Sequence, residues 1–245
     1  MASAPAQLSI RLPAPPLRHG GRRKNAGRKR TRSGTWVGHK ARPWHDAQHP
    51  VHVTLRVRRG IPNLRGHRLA KTIGESLRRA SQAPDPALTE RRRTFRVVHF
   101  SIQPNHLHLI VEATSKTALA RGMQGLASVV ARRVNRTLRR RGALFGDRYH
   151  AHALASPTEV RHAVVYVLKN FEKHPDPVPD LGTEPRDGID PCSSARWFGG
   201  WAQPTAPPGL LAPVATPRTW LLSKGWKRAG LVTRHERPAG TLGHD

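Results

Sequence analysis

Residues 100–113 read FSIQPNHLHLIVEA. Pro104 and Asn105 divide the stretch into the end of an apolar run, FRVVHFSIQ (95–103), and the start of a second run, HLHLIVEA (106–113). Two such runs around a short turn signal predict a β-hairpin. Side chains alternate along a strand, so Leu107, Leu109 and Val111 share one face while His106 and His108 share the other. The leucine face belongs in a core. Two same-face imidazoles about 7 Å apart along a strand can converge on one divalent metal when a third group closes the site. Taken alone an HxH pair is a weak signal, more often packed or surface histidines.

Outward from the hairpin, VHVTLRVR (51–58) alternates Val51, Val53, Leu55 and Val57 with His52, Thr54, Arg56 and Arg58, the pattern of a half-buried strand. GIPNLR then supplies turn residues, and Leu69, Ile73 and Leu77 at four-residue spacing predict a basic helix over about 65–82. After the hairpin, Leu119, Met123, Leu126, Val130, Val134 and Leu138 form the apolar stripe of a longer helix over about 116–141. Arg132, Arg133, Arg136, Arg139 and Arg140 cover its other surface, a face suited to phosphate. ALFGDRYHAHALA (143–155) reads as a loop and a short strand. Ser156 as N-cap, Pro157 at the first helical position and Glu159 three residues after the cap start another helix, which Pro175 stops.

The order strand, helix, strand, strand, helix, strand, helix matches an α+β fold: a split β-α-β antiparallel sheet of four or five strands with helices packed on one face. The flanks differ in composition. Residues 1–48 are rich in Pro, Gly and Arg without apolar period and read as a disordered basic arm, in which Arg22, Arg23, Lys24, Arg28, Lys29 and Arg30 could track phosphates. Residues 49–174 form the folded domain. Residues 175–245 read as a Pro-rich extended tail with Trp anchors that should dock somewhere.

The chain has 245 residues, and its 43 Lys and Arg against 15 Asp and Glu give +28, a balance that suits a polyanionic partner, nucleic acid first. A membrane surface is the rival, but no apolar run approaches the roughly 18 residues of a spanning helix and no signal-peptide core precedes the domain. Cytoplasmic residence follows. The single cysteine, Cys192, has no CxxC partner and agrees with a reducing compartment.

On the helix after Ser156, Val160, Ala163, Val164, Val167, Leu168 and Phe171 form a buried stripe, leaving His162, Tyr166 and Asn170 at four-residue spacing on a more polar face. A phenol one turn from a carboxamide offers a nucleophile and an oxygen ligand on one rigid element. A Tyr at a helix interface with Asn bonding nearby explains the same residues.

Taken in order, NHLHLIVEA, a basic helix, DRYHAHAL and a helix bearing YVLKN resemble the single-tyrosine transposases of the HUH superfamily, the insertion-sequence-200-like group and most closely its REP-associated branch. The resemblance covers about residues 50–174. It implies that His106 and His108 are metal ligands, Asn170 the third ligand and Tyr166 the catalytic tyrosine. It also implies a ferredoxin-like sheet, Mg²⁺ or Mn²⁺ as cofactor, single-stranded or hairpin DNA as substrate, and a homodimer, in which some members pack the tyrosine helix onto the partner's HUH strand. A metal would neutralise the phosphodiester while Tyr166 attacks it, giving a 5′-phosphotyrosine that a 3′-OH resolves by strand transfer. A phenol pKa of about 10 leaves its proton acceptor open, and His162 is a candidate on spacing. Tyr149 has no amide one turn away and reads as structural or DNA-contacting. His150 and His152 form a second alternate pair with no such tyrosine helix. A catalytically silent, transposase-derived DNA-binding protein is the alternative, although it would have no need to keep His106, His108, Tyr166 and Asn170 together.

Overall fold

The computed structural model describes residues 44–82, 93–173, 188–203 and 211–238. Its centre is a four-stranded antiparallel sheet of β1 (Val51–Arg56), β2 (Phe95–Ile102), β3 (His106–Ala113) and β4 (His150–Ala153), in the spatial order β2-β3-β1-β4. Among the described residues the helices are α1 (His67–Gln82), α2 (Lys116–Thr137), α3 (Pro157–Lys169) and the short α4 (Trp220–Ser223). None of them is long and apolar enough to cross a membrane. The fold is α+β, as the element order predicts.

The hairpin turns at the predicted Pro104 and Asn105, where the Gln103 N–H donates to the His106 carbonyl at 2.9 Å. β1 pairs with the other side of β3, with Thr54 opposite His108 and Leu55 opposite Leu107. Val51, Val53 and Leu55 thereby join Phe100, Leu107, Leu109 and Val111 in one apolar layer, covered by Leu69, Ile73 and Leu77 of α1 and by Leu119, Met123, Leu126, Val130 and Val134 of α2. Burying each such side chain stabilises the fold by about 1.5–3 kcal/mol. Helix and strand touch closely here, since a Cβ on Gly122 would lie 2.1 Å from the Phe95 ring.

Helices lie on both faces of the sheet rather than on one. α3 packs on the face opposite α1 and α2, where Val160, Ala163, Val164, Val167 and Leu168 meet Val98, Ile110 and Leu154. The cause is legible in β2: the pairing steps from Val97↔Val111 to His99↔Ile110, a bulge that sets Val98 as an extra apolar residue toward the second face. Strands apolar on both sides need cover on both sides. α3 starts with the predicted capping box, in which the Glu159 N–H donates to Ser156 Oγ and the Ser156 N–H donates back to the Glu159 carboxylate.

α2 ends at Thr137, short of the predicted Arg141. Arg139 there has φ +50°, in the left-handed region, and Asn135 bonds both the Arg140 guanidinium and the Gly142 carbonyl, so Arg139 and Arg140 form a cap turn instead of a last helical turn.

Residues 188–203 and 215 cover the outer edge of β2. The Ile102 N–H donates to the Cys192 carbonyl (2.8 Å), the Phe100 N–H to Ser194 Oγ (3.1 Å) and the Ala215 N–H to the Val97 carbonyl (2.8 Å). An edge covered in this way offers no free ladder for another chain. Arg65 locks the segment through paired bonds to the fully buried Asp190 carboxylate at 2.8 and 3.0 Å. Trp201, Trp226 and Phe198 sink into the second core. Burial pushes the Cys192 thiol up to about 12, so it stays protonated and inert.

Candidate active site

The second face of the sheet carries the imidazoles. His106 Nδ1 lies 2.7 Å from Asn105 Oδ1, an atom that only accepts, so Nδ1 holds the hydrogen and Nε2 presents its lone pair. That Nε2 lies 2.8 Å from His108 Nε2. The other nitrogen of His108, Nδ1, faces His52 Nε2 at 3.1 Å and Thr54 Oγ1 at 3.2 Å, both from β1. Register explains this. With Val51, Val53 and Leu55 turned into the first core, His52 and Thr54 must share the face of His108. The His52 ring also stacks on that of His108, with centroids 5.2 Å apart.

α3 brings Tyr166 over the same place. Its ring meets His108 edge-on at 5.1 Å between centroids and His52 at 5.8 Å. Burial raises the phenol pKa above its ordinary value, so Tyr166 is protonated at neutral pH and must lose that proton to act as a nucleophile. Asn170, one turn further, caps α3 and is fully buried, yet neither of its amide atoms has a hydrogen-bond partner among the described residues. Leaving a buried polar group unmatched costs about 1–3 kcal/mol, which marks it as a group awaiting a partner.

These observations bear on a metal. Among the described residues no three His, Cys, Asp or Glu side chains gather into a cation site. The two Nε2 atoms at 2.8 Å, once His108 gives up its Nε2 hydrogen, offer two nitrogen donors, and the Asn170 amide oxygen is an unpartnered oxygen donor one turn after Tyr166. That set fits a divalent ion such as Mn²⁺ or Mg²⁺, with imidazole leaning to Mn²⁺.

The structure thus brings His106, His108 and Tyr166 together with His52. His162 is exposed, one turn before Tyr166. Arg132, Arg136 and Arg139 are exposed, Arg133 pairs with Glu75 at 2.6 Å, and Arg140 bonds Asn135 and the Ala143 carbonyl. Their helix, α2, packs on the face of the sheet opposite α3 and Tyr166. Arg22, Arg23, Lys24, Arg28, Lys29 and Arg30 lie outside the described residues. Tyr149 packs against the first core, and β4 leaves His150 and His152 exposed. Sequence reading missed three residues, His52, Thr54 and Asn105. The alternation in VHVTLR already put His52 and Thr54 on a polar face, but only the β1–β3 register shows which residue they serve.

The fold and this ring cluster define an α+β protein with a tyrosine–histidine site on one face of its sheet. Residues 61–169 match the model of the family described as Transposase IS200 like. Among solved structures the chain is similar to "Structure of the REP associates tyrosine transposase bound to a REP hairpin", with a TM-score of 0.39 and 19% identity over 56% of this chain and 74% of that one. Comparison with curated proteins finds no match.

Proposed function

We propose that the chain is a metal-dependent DNA transposase that nicks and rejoins single strands through Tyr166. The observation that carries this reading is the edge-on approach of Tyr166 to His108 at 5.1 Å within one chain, beside two Nε2 atoms 2.8 Å apart. The match of residues 61–169 to the IS200-like transposase model supports it. His106, His108 and Asn170 would hold the divalent ion, which when bound neutralises the nonbridging phosphate oxygens and so makes the phosphodiester open to attack.

The remaining chemistry belongs to the chain. Tyr166 Oη attacks phosphorus in line, the bond to the 3′ oxygen breaks, and that oxygen leaves as a 3′-OH after taking a proton. The phenol proton passes to an acceptor, for which His162 is the candidate on the same helix. Because the 5′-phosphotyrosine keeps the energy of the broken linkage, a second 3′-OH can displace the tyrosine and join strands; water would give hydrolysis only. Since Tyr166 contacts His108 of its own chain, the reading favours a tyrosine acting in cis, in a homodimer or otherwise. The substrate is single-stranded or hairpin DNA in the cytoplasm, at the nucleoid, and the charge of +28 suits it.

The test is a denaturing gel for a covalent adduct on labelled single-stranded hairpin DNA. Wild type with Mn²⁺ should give an adduct, and EDTA, Tyr166→Phe or His106→Ala should each abolish it. Tyr166→Phe should keep nearly full DNA affinity by anisotropy. An adduct in Tyr166→Phe would sink the assignment, and DNA binding with no adduct in wild type would make the chain a silent binder.

A further inference from the structure

A cavity of about 560 Å³ opens at the other end of β3 from His106, lined among others by His49, Arg96, Glu112, Arg218 and Trp220. Its carboxylate is committed. Glu112, 2% exposed, accepts the backbone N–H groups of Arg218 (3.0 Å) and Thr219 (2.8 Å) and the Thr219 hydroxyl (2.8 Å), and pairs with Arg96 at 3.4 Å. Those bonds fix residues 218–219 as one wall. His45 fixes the other, its Nε2 2.7 Å from the Ala113 carbonyl. Asp46 is the acidic side chain at the rim, 4.0 Å from His49.

Around this opening the protein leaves aromatic surface in water. Trp220 is 48% exposed and Trp44, next to His45, is 90% exposed, whereas Trp201 and Trp226 are buried. The Arg228 guanidinium sits 4.8 Å from the Trp220 ring centroid, and Arg218 is exposed beside it. Exposed indoles interleaved with guanidinium groups form a platform for bases and phosphates of a single strand, because any base has a face to stack and any phosphate a charge to pair.

We propose that this cavity takes an unpaired nucleotide of the DNA flank, its base against Trp220 and Trp44 and its phosphate on Arg218 and Arg228. The inference rests on the transposase reading and adds a second DNA contact to it. Seven residue steps separate His106 from Ala113, about 23 Å along the strand, the rise of about seven stacked nucleotides. The nucleotide anchored here is not the one cleaved at Tyr166, and its contact sets how the flank is gripped.

The full chain is tested by fluorescence anisotropy on one labelled hairpin, blunt or with a single-stranded tail of about ten nucleotides on either side, long enough for that span. Wild type should prefer a tailed hairpin. Trp220→Ala, Trp44→Ala and Arg218→Ala should each weaken tailed binding about tenfold and leave blunt binding unchanged. The Trp220 ring packs over Gly225, so the exposed Trp44 and Arg218 variants decide the matter if Trp220→Ala fails to fold. Equal losses on blunt and tailed DNA, or unchanged tailed binding in these variants, would overturn the inference. A wild type that forms the Tyr166 adduct but shows no tail preference refutes this contact alone. A wild type that binds neither DNA refutes the transposase reading with it.

Discussion

The two faces of the sheet are made of different material and answer to different demands. On the face under α1 and α2, every inward side chain of β1 and β3 is aliphatic, and the helices that cover it are adjacent to the strands in sequence. On the face under α3 the same strands present His52, His108, Ile110 and Glu112, and the cover also comes from residues within 195–201 and 221–232, far along the chain. Burying polar groups is unfavourable unless each finds a partner. The second face meets that condition with long-range pairs: Lys169, fully buried and also paired with nearby Glu172, bonds the Arg234 carbonyl, and Glu112 bonds residues 218–219. Asn170, the buried C-cap of α3, is left unmatched among the described residues. One face therefore supplies stability from shape, while the other holds polar groups in fixed positions and depends on distant segments to do so.

The comparison breaks most visibly where a long-range pair is removed. Asp190→Ala strips the Arg65 guanidinium of its carboxylate inside the protein and should lower unfolding free energy by about 3–5 kcal/mol. The exposed counterpart is Glu75→Ala, which removes the partner of Arg133 in a pair whose side chains are 28% and 38% exposed. Solvent screening limits that loss to about 1 kcal/mol at most. Urea denaturation of both variants checks the contrast, and equal losses would mean that the 188–203 segment is not the brace described here.

A pH dependence should follow the same division. Burial lowers His99, on β2 beside Phe198 and Ser194, to about 4. The unfolded chain binds that proton near the ordinary value of about 6.5, so between about pH 6.5 and 4 the unfolded state holds more protons and stability falls as pH falls. At pH 4.5 the contribution amounts to about 2.5 kcal/mol relative to pH 7. His99→Leu should lack it, so the gap in unfolding free energy between pH 7 and 4.5 should shrink by that amount against wild type. Parallel pH curves for the two proteins would show that His99 is not the group responsible.

How far the sequence could be read tracks the same contrast. The hairpin at Pro104 and Asn105, the stripes of α1 and α2 and the Ser156 capping box are local patterns, fixed by residues within a turn or a strand of one another. Placing α3 on the second face depended on the β2 bulge at Val98, which no alternation rule separates from a regular strand. The HxH and YxxxN spacings named His106, His108, Tyr166 and Asn170, but Asn170 stood on a helix face read as polar and is instead fully buried. The role of Arg65 needed a partner 125 residues away. What periodicity conveys is which side of an element faces inward, and what it omits is which distant element arrives there.

His52 sharpens the comparison at the smallest scale, because it is a β1 residue whose neighbours Val51 and Val53 serve the aliphatic core while it serves the opposite side. Its Nε2, 3.1 Å from His108 Nδ1, together with Thr54 Oγ1 at 3.2 Å, holds the His108 ring so that Nε2 points toward that of His106. Groups that orient a ligating imidazole in this way typically change metal affinity by 10- to 100-fold when removed. On the proposed metal reading His52 is a positioning residue, and His52→Phe should weaken Mn²⁺ binding in calorimetry by about that factor while its aromatic ring preserves packing and melting temperature. His52→Gln, whose amide oxygen accepts the same bond, should recover most of the affinity. A purely structural role predicts the reverse order, with Phe the milder change, so tighter Mn²⁺ binding in His52→Phe than in His52→Gln would remove His52 from the site.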